Sequence, residues 1–205
     1  MADKSTGDVR SPTSLIKSEL RKRIIAARDA LDPTLRRNLS SRIAARLLAL
    51  PSYRDARCVM AYMSLGSELD TADFVAHVRA GGKDLVLPRV ARDTRSLRLH
   101  RVRDPDNELA AGVWGIREPR ADVCPEVTAS AVDFILVPGV AFTARCERLG
   151  YGAGYYDRLI GALERRPALV VGAFGIQVVP EVPMTPSDQL VDLVITEDAE
   201  HARNG

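Results

Sequence analysis

Hydrophobic residues near the start of the chain recur every three or four positions, as they do on one face of an α-helix. One such stripe covers 13–30 and a second covers 35–47, so the sequence predicts two amphipathic helices. Asp32 followed by Pro33 gives the second helix an N-cap and a first helical residue. This helix should end before Pro51.

Short apolar runs dominate the rest of the chain and predict buried strands. A third helical stripe, from Phe74 to Val78, lies between the first two runs and stops at the glycine pair 81–82. A strand, a helix and a second strand in succession predict a parallel α/β sheet. The predicted strands are 58–63, 84–88, 132–137, 168–174 and 190–195.

The two ends of the chain lack this patterning. Residues 1–12 are polar and not periodic, so we expect a disordered tail, and 199–205 should form a second, polar tail. The patterned part, 13–198, has no internal repeat and no linker, which predicts a single domain. Within it, 89–103 holds six arginines and no aromatic residue. Its alternation predicts a solvated edge strand, with contact to an anionic substrate tail as the second interpretation.

Composition limits the functional classes. The chain has 205 residues, of which 46% are hydrophobic and 27% charged, and its formal net charge is +2. This is too weakly basic for bulk nucleic-acid binding. No apolar run reaches the ~20 residues that a transmembrane helix needs. The three cysteines are odd in number and widely spaced, which fits neither a disulfide framework nor a zinc site and indicates a reducing cytoplasm.

One stretch, RLGYGAGYYD at 148–157, has glycine at alternate positions: Gly150, Gly152 and Gly154. Glycine lets the backbone turn tightly and brings amide groups close to a ligand. A helix should follow and run to about Arg166, so that free amides and the positive end of the helix dipole face the same way. The stretch therefore predicts a phosphate-binding loop.

Common phosphate and cofactor motifs do not fit this loop. A dinucleotide fingerprint needs its glycines directly after a strand and an acidic residue ~20 positions further on. Here the strand over 132–137 ends well before Gly150, and no acidic residue lies near Phe174. The GxxxxGK[ST] and GxSxG patterns are absent, and the histidines lack paired metal-ligand spacing. These patterns alone name no substrate.

Position alone does not decide whether four side chains outside the loop belong to a functional site or have an ordinary structural role. Lys17 and Arg21 are spaced i,i+4 and share a helix face, which would ordinarily be solvated. Glu68 follows the first strand, where ligands of α/β sheets collect, or is a surface charge. Trp114 lies among glycines and prolines, either as core filler or as a platform for an aromatic ring.

Two segments, VPGVAF at 137–142 and RLGYGAGYYDR at 148–158, closely resemble the signature of the 5-formyltetrahydrofolate cyclo-ligase (methenyltetrahydrofolate synthetase) family. The resemblance runs nearly end to end. Its further segments are KxxLR at 17–21, Ser64 with 68–71, Leu87-Pro88, GIREP at 115–119, and Asp188 with 191–195. It implies a three-layer α/β/α fold with a mostly parallel, Rossmann-like sheet of the sugar-phosphate isomerase and CoA-transferase type.

The resemblance implies a ligase, which we expect to be cytoplasmic and monomeric, with no membrane or nucleic-acid partner. Such an enzyme converts 5-formyltetrahydrofolate, with or without a polyglutamate tail, and MgATP to 5,10-methenyltetrahydrofolate, ADP and phosphate. The formyl oxygen is phosphorylated before the ring closes. Carried over by position, the catalytic residues would be Lys17, Arg148 and Tyr155. The ATP-binding residues would be Lys17, Arg21, Arg148, Leu149, Gly150, Tyr151, Gly152, Ala153, Gly154, Tyr155 and Tyr156. The folate-binding residues would be Met63, Glu68, Trp114, Tyr151, Gly152, Ala153, Gly154 and Tyr155, and the Mg²⁺ ligands Asp157 and Asp188.

Four places depart from the family's pattern. Thr143 replaces a usual aspartate, 146–147 replaces a usual glycine, Ala153 stands where glycine or lysine is usual, and Ser187 stands where histidine is common. None removes a charged group assigned to catalysis. Two alternatives stay open, namely a non-catalytic folate- or nucleotide-binding module on the same fold, and a sugar-phosphate isomerase that needs no ATP.

Overall fold

A computed structural model describes residues 11–203 of the chain. The disordered tail predicted over 1–12 therefore lies almost entirely outside the described residues. The helices are α1 Pro12–Asp29, α2 Pro33–Ala49, α3 Pro51–Asp55, α4 Ala72–Ala80, α5 Pro105–Glu108 and α6 Tyr155–Gly161. The strands are β1 Cys58–Met60, β2 Asp84–Ala91, β3 Ser96–Arg101, β4 Leu109–Ala111, β5 Arg117–Pro119, β6 Glu126–Val127, β7 Phe134–Leu136, β8 Ala141–Phe142, β9 Arg148–Leu149, β10 Ala168–Gly172, β11 Leu193–Ile195 and β12 Glu200–Ala202.

The first two helices begin at side chains that satisfy their free amides. The hydroxyl of Ser11 accepts a hydrogen bond from the amide of Ser14, and α1 starts one residue later, at a proline. The carboxylate of Asp32 accepts from the amides of Thr34 and Leu35 at 2.8 and 2.9 Å. The N-cap predicted at Asp32 is thus confirmed.

Eight strands form one mixed sheet in the order β12-β11-β10-β7-β1-β2-β3-β6. Neighbours from β11 to β2 are parallel, whereas β12, β3 and β6 pair antiparallel. The hairpins β4–β5 and β8–β9 form separate two-stranded sheets. The predicted α/β class is confirmed, with a mixed and mostly parallel sheet.

Alternation along the central strands divides the apolar side chains between two cores. Val59 and Phe134 lie in the core that includes side chains of α2, α3 and α4. Met60 and Ile135 point the other way and pack in the core that includes Ile160 of α6. Because the strands are buried on both faces, they read in the sequence as continuous apolar runs. Each fully buried side chain of this size contributes ~1.5–3 kcal/mol.

Three sequence predictions are wrong, one about the place of a strand in the sheet and two about where an element ends. The strand β3 is not an edge strand, because β6 pairs with it; a two-residue strand is too short to leave a pattern. The helix after the glycine stretch ends at Gly161 rather than near Arg166, since glycine is a poor helix former. The polar tail expected from residue 199 contains β12, whose backbone pairs with β11.

A smaller apolar cluster forms where α1 packs on the β8–β9 hairpin. Leu20 and Ile24 of α1 belong to one buried cluster with Ala141 and Leu149 of the hairpin. Because Leu149 directly precedes the glycine stretch, this packing places the polar side of α1 beside that stretch. The contact therefore determines which side chains can share a site.

Candidate active site

Two cavities meet at residues 150–154, which we call the glycine loop. The first has a volume of 640 Å³ and lies between α1, the glycine loop and the 185–189 turn. Charged and hydroxyl side chains line it, so we call it the polar cavity. The predicted site residues in its lining are Lys17, Arg21, Leu149, Gly150, Gly152, Gly154, Asp157 and Asp188.

The second cavity, of 440 Å³, lies on the other side of the glycine loop and is lined mainly by apolar and aromatic side chains. We call it the apolar cavity. The predicted site residues in its lining are Met63, Glu68, Trp114, Arg148, Gly150, Tyr151, Ala153, Gly154, Tyr155, Tyr156 and Asp157. Three residues, Gly150, Gly154 and Asp157, line both cavities. Both volumes are in the usual range for ligand sites.

The two cations of α1 that the sequence singled out both reach the polar cavity. The ammonium group of Lys17 lies 2.5 Å from a carboxylate oxygen of Asp188, and both side chains are mostly buried. The guanidinium of Arg21 donates from Nε to the carbonyl of Gly150 at 2.7 Å. The solvated face suggested by spacing alone is wrong, because the glycine loop and the 185–189 turn cover this side of the helix.

Most backbone amides of the glycine loop are unpaired within the described part of the chain. Among residues 11–203, no acceptor takes a hydrogen bond from the amides of 151–154. Gly152 has φ +106, a backbone conformation that side chains rarely adopt. At Gly150, a Cβ would lie 2.8 Å from the guanidinium of Arg148. Ala153 is not among the positive-φ residues, so its departure from glycine causes no backbone strain.

Arg148 lies beneath the glycine loop, with only 2% of its side chain exposed. Its Nη2 donates to Asp157 Oδ1 at 2.6 Å, and its Nη1 donates to the carbonyl of Pro138 at 3.2 Å. Asp157 also accepts from the amide of Gln189. The buried cation is therefore paired and held in a fixed position through its two Nη groups, while its buried Nε has no hydrogen-bond partner among the described residues.

The two predicted metal ligands each keep a carboxylate oxygen free. All hydrogen bonds to Asp157 from the described residues go to Oδ1, and all those to Asp188 go to Oδ2. Within 11–203, no group of three or more His, Cys, Asp or Glu side chains is placed to hold a metal. Mg²⁺ commonly takes one or two carboxylates and completes its shell with water and phosphate oxygens, so the pair fits Mg²⁺.

The surroundings of Asp188 and Arg21 in the polar cavity shift the pKa of each side chain. Burial opposes ionisation of Asp188, but hydrogen bonds from Lys17 and Thr185 outweigh it and hold the pKa of this carboxyl below its usual range. Burial lowers the pKa of Arg21, against the opposing effect of the Asp188 carboxylate. An arginine nevertheless remains protonated at neutral pH.

Three tyrosines surround Glu68 in the apolar cavity, namely Tyr62, Tyr151 and Tyr156. Burial raises the pKa of each, and the carboxylate of Glu68 raises it further. All three are therefore neutral hydroxyl groups at pH 7. The hydroxyl of Tyr156 is buried without a hydrogen-bond partner in the described part of the chain. It can pair with a polar group of a ligand.

Trp114 is 59% exposed and is not core filler. It lies at the rim of the apolar cavity in a left-handed conformation, with φ 59. Its ring meets that of Tyr155 at a centroid distance of 6.2 Å and an angle of 69°. The interpretation as a platform for an aromatic ring fits this position.

Sequence reasoning missed several residues of the site. Tyr62 lines the apolar cavity, and Thr185 and Gln189 line the polar one. Arg28 contacts Tyr151, and Arg158 donates to the carbonyl of Ala153. Of these residues, only Arg28 could have been found from the sequence, because it lies seven residues after Arg21 on the same stripe of the helix.

Comparison with known proteins identifies the family. A model of the 5-formyltetrahydrofolate cyclo-ligase family matches residues 13–197. The chain belongs to this family. Escherichia coli K12 5-formyltetrahydrofolate cyclo-ligase is 29% identical over 170 residues, which cover 82% of this chain and 93% of the relative. The NMR structure of Aquifex aeolicus 5,10-methenyltetrahydrofolate synthetase is 35% identical, with a TM-score of 0.81, and the match covers 93% of this chain and 94% of that one.

Family membership makes the protein a ligase of folate one-carbon metabolism, and the family's enzymes use ATP. Residues 11–203 contain no helix with the length and apolarity needed to cross a membrane. A relative from Arabidopsis thaliana, 26% identical over 89% of this chain and 73% of its own length, is named 5-formyltetrahydrofolate cyclo-ligase, mitochondrial. The expected cytoplasmic location therefore stays a prediction.

Proposed function

We propose that this protein converts 5-formyltetrahydrofolate and ATP to 5,10-methenyltetrahydrofolate, ADP and phosphate, with ATP in the polar cavity and the folate in the apolar cavity. The observation that carries this proposal is the position of the glycine loop as the common wall of both cavities. A phosphoryl group bound by the loop would reach a group in the neighbouring cavity. Phosphoryl transfer depends mainly on such positioning and on charge neutralisation.

The chemistry proceeds in two steps. The γ-phosphoryl group moves from ATP to the formyl oxygen, which converts a poor leaving group into a good one and releases ADP. The neighbouring amine nitrogen then attacks the formyl carbon, its proton is lost, and the C–O bond breaks with release of phosphate. Each step needs the two substrates to be held against each other and kept from bulk water.

The polar cavity supplies the groups for the first step. The unpaired amides of 151–154 would bind phosphate oxygens, and Lys17 and Arg21 would balance the negative charge. Arg148, which lines the apolar cavity on the other side of the loop, would add positive charge at the boundary between the two cavities. Bound Mg²⁺ would add charge neutralisation at the phosphates. Asp157 and Asp188 would hold it through their free oxygens, and Lys17 and Arg148 hold these two carboxylates in place.

The apolar cavity supplies the groups for the second substrate. Glu68 would accept hydrogen bonds from the donor edge of the pterin, and Met63 and Trp114 would cover its ring. Tyr155 follows the glycine loop directly and would hold the formyl end of the folate against it. Tyr156, predicted as an ATP contact, lines the apolar cavity and not the polar one, which favours a folate contact.

The near-ultraviolet absorbance of methenyltetrahydrofolate tests the proposal directly. We expect absorbance to rise when the protein receives 5-formyltetrahydrofolate with MgATP, and not with either alone. Glu68→Gln should weaken folate binding measured by calorimetry while ATP binding is spared, whereas Glu19→Gln, on the exposed face of α1, should change neither. Folate binding without turnover would indicate a binding module, and no binding would contradict the proposal.

Four finer features of the protein belong to the same proposal. The parallel part of the sheet, with β1 between β2 and β7, supports a Rossmann-like subtype. We also retain the monomer, the domain over 13–198 and the absence of a nucleic-acid partner as proposals. The family model over 13–197 supports the domain bounds, although β12 extends the folded chain beyond them.

A further inference from the structure

Arg28, near the C-terminal end of α1, is a buried cation that has no ionic partner in the described part of the chain. Only 4% of its surface is exposed. None of the ion pairs formed by residues 11–203 includes it. Burying a guanidinium is costly unless its N–H groups are satisfied by hydrogen bonds. The partners of Arg28 therefore show what this position is used for.

The hydrogen bonds of Arg28 join three segments that are far apart in the chain. Its Nε donates to the hydroxyl of Ser67 at 2.9 Å, and its Nη1 donates to the hydroxyl of Tyr151 at 3.1 Å. Ser67 in turn donates to the carboxylate of Asp29. One side chain of α1 thus holds both the residue before Glu68 and the aromatic residue of the glycine loop.

The two residues held in this way belong to the apolar cavity. Tyr151 and Glu68 line it, and the Glu68 carboxylate lies near enough to the Tyr151 hydroxyl to raise its pKa. Arg28 itself does not line either cavity. Its contacts with the site therefore pass through Tyr151 and the Ser67–Glu68 segment, and not through a ligand.

Arg28 is the last of three cations on one stripe of α1. Lys17 and Arg21 of this stripe reach the polar cavity, whereas Arg28, seven residues after Arg21 and thus two helical turns along, reaches the apolar side. The carbonyl of Gly150 accepts from Arg21 and the next side chain, that of Tyr151, accepts from Arg28. Successive residues of the glycine loop are thus attached to one rigid helix.

We propose that Arg28 is a positioning residue for the folate half of the site, which it assembles by fixing Tyr151 and the Ser67–Glu68 segment against α1. The inference rests on the proposed function, because it takes the apolar cavity as the folate site. It predicts that loss of the guanidinium weakens folate binding selectively. The ATP side keeps its affinity, because the loop backbone is held independently of Arg28: Arg21 donates to the carbonyl of Gly150 and Arg158 donates to that of Ala153.

Calorimetry with 5-formyltetrahydrofolate, in the absence of ATP, tests the inference. Arg28→Met removes the donors and keeps the apolar stem. We expect its dissociation constant for the folate to rise ~10-fold, the scale of losing hydrogen bonds from a charged donor. The dissociation constant for ATP, measured separately, should stay within about twofold of the wild-type value, because Arg28 does not line the polar cavity. Arg23→Met, on the exposed side of the same helix, is the matched control and should leave both constants unchanged.

A double-mutant cycle separates positioning from general destabilisation. Tyr151→Phe removes the hydroxyl that accepts from Arg28. If the two residues act through this bond, the double variant should bind the folate as tightly as whichever single variant has the lower folate affinity. If Arg28→Met does not fold, Arg28→Lys keeps the charge but cannot contact Ser67 and Tyr151 together, and it should also lose folate affinity selectively.

Three results would overturn the inference, namely unchanged folate affinity in Arg28→Met or Arg28→Lys, equal weakening of folate and ATP, or fully additive losses in the cycle. Wild-type turnover is measured separately by absorbance. Folate binding without turnover would contradict the proposed reaction and leave the role of Arg28 to be decided by the binding constants. Failure of the wild type to bind the folate would contradict both.

Discussion

The ion pair between Arg148 and Asp157 gives the sharpest prediction, because the chain offers a matched control for it. Its N–O distance is 2.6 Å, with 2% of the arginine side chain and 19% of the aspartate side chain exposed. The pair of Arg42 and Asp198 has the same distance, 2.6 Å, but its side chains are 55% and 76% exposed. Comparing the two carboxylates therefore varies burial while distance is held constant.

The cost of removing each carboxylate follows from this difference. Removing one partner of a buried pair costs about 3–5 kcal/mol, because the other charge stays buried and unpaired. Asp157 is partly exposed, so water can reach the vacated position and Asp157→Ala should fall at the lower end, about 3 kcal/mol. Asp157→Asn keeps an acceptor and should lose about half as much. Asp198→Asn should lose less than about 1 kcal/mol.

Urea unfolding at neutral pH measures these free energies, and turnover at varied Mg²⁺ concentration measures the proposed metal role. Asp157→Asn should need more Mg²⁺ for half-maximal turnover, whereas Asp198→Asn should behave as the wild type. Equal stability losses for Asp157→Asn and Asp198→Asn would refute the argument from burial. A normal Mg²⁺ dependence in Asp157→Asn would remove Asp157 from the metal site and leave only its role as partner of Arg148.

Two further predictions concern single groups at the cavities. Trp114 is the only tryptophan of the chain and is largely exposed. Saturating 5-formyltetrahydrofolate should therefore shift its fluorescence emission to shorter wavelength, whereas ATP alone should not. An unchanged spectrum would exclude stacking of Trp114 on the folate. Asp188 has a pKa below its usual range, so its bond to Lys17 should stabilise the fold above the ordinary carboxyl pKa of ~3.9 and lose this effect as pH falls through the lowered value. The difference in unfolding free energy between wild type and Asp188→Asn should therefore be present at neutral pH and shrink in acid, and a constant difference would contradict this assignment.

The sequence predicted the elements whose signal is local. The stripe of α1 and the N-cap at Asp32 depend on neighbouring residues, and both are found where they were expected. Central strands were recognised because they are buried on both faces and read as apolar runs. By contrast, β6 and β12 are two and three residues long and form by pairing with a strand that is already in place. Such pairing leaves no periodic pattern.

The environment of a helix face could not be read from its spacing. Lys17 and Arg21 have the i,i+4 pattern of an ordinary solvated pair. Their partners, Asp188 and Gly150, come from segments far along the chain, and only tertiary packing brings them together. The family resemblance pointed to these two cations, whereas spacing did not. It did not point to Arg28, whose partners are equally distant in sequence.

The glycine loop shows most clearly how the packed structure changes a motif argument. Its glycines suggested an anion site formed by a loop and a long helix. The helix α6 has seven residues, so its dipole is a smaller part of the explanation than expected. The loop is instead fixed by guanidinium groups that donate hydrogen bonds to its carbonyls. Arg21 donates to the carbonyl of Gly150, and Arg158 donates to that of Ala153. With these carbonyls engaged, the amides of 151–154 are left without acceptors among the described residues. The proposed binding of phosphate would therefore depend on how the loop carbonyls are held, and we expect a substitution that releases Arg21 or Arg158 to weaken ATP binding, measured by calorimetry, even though the glycines remain.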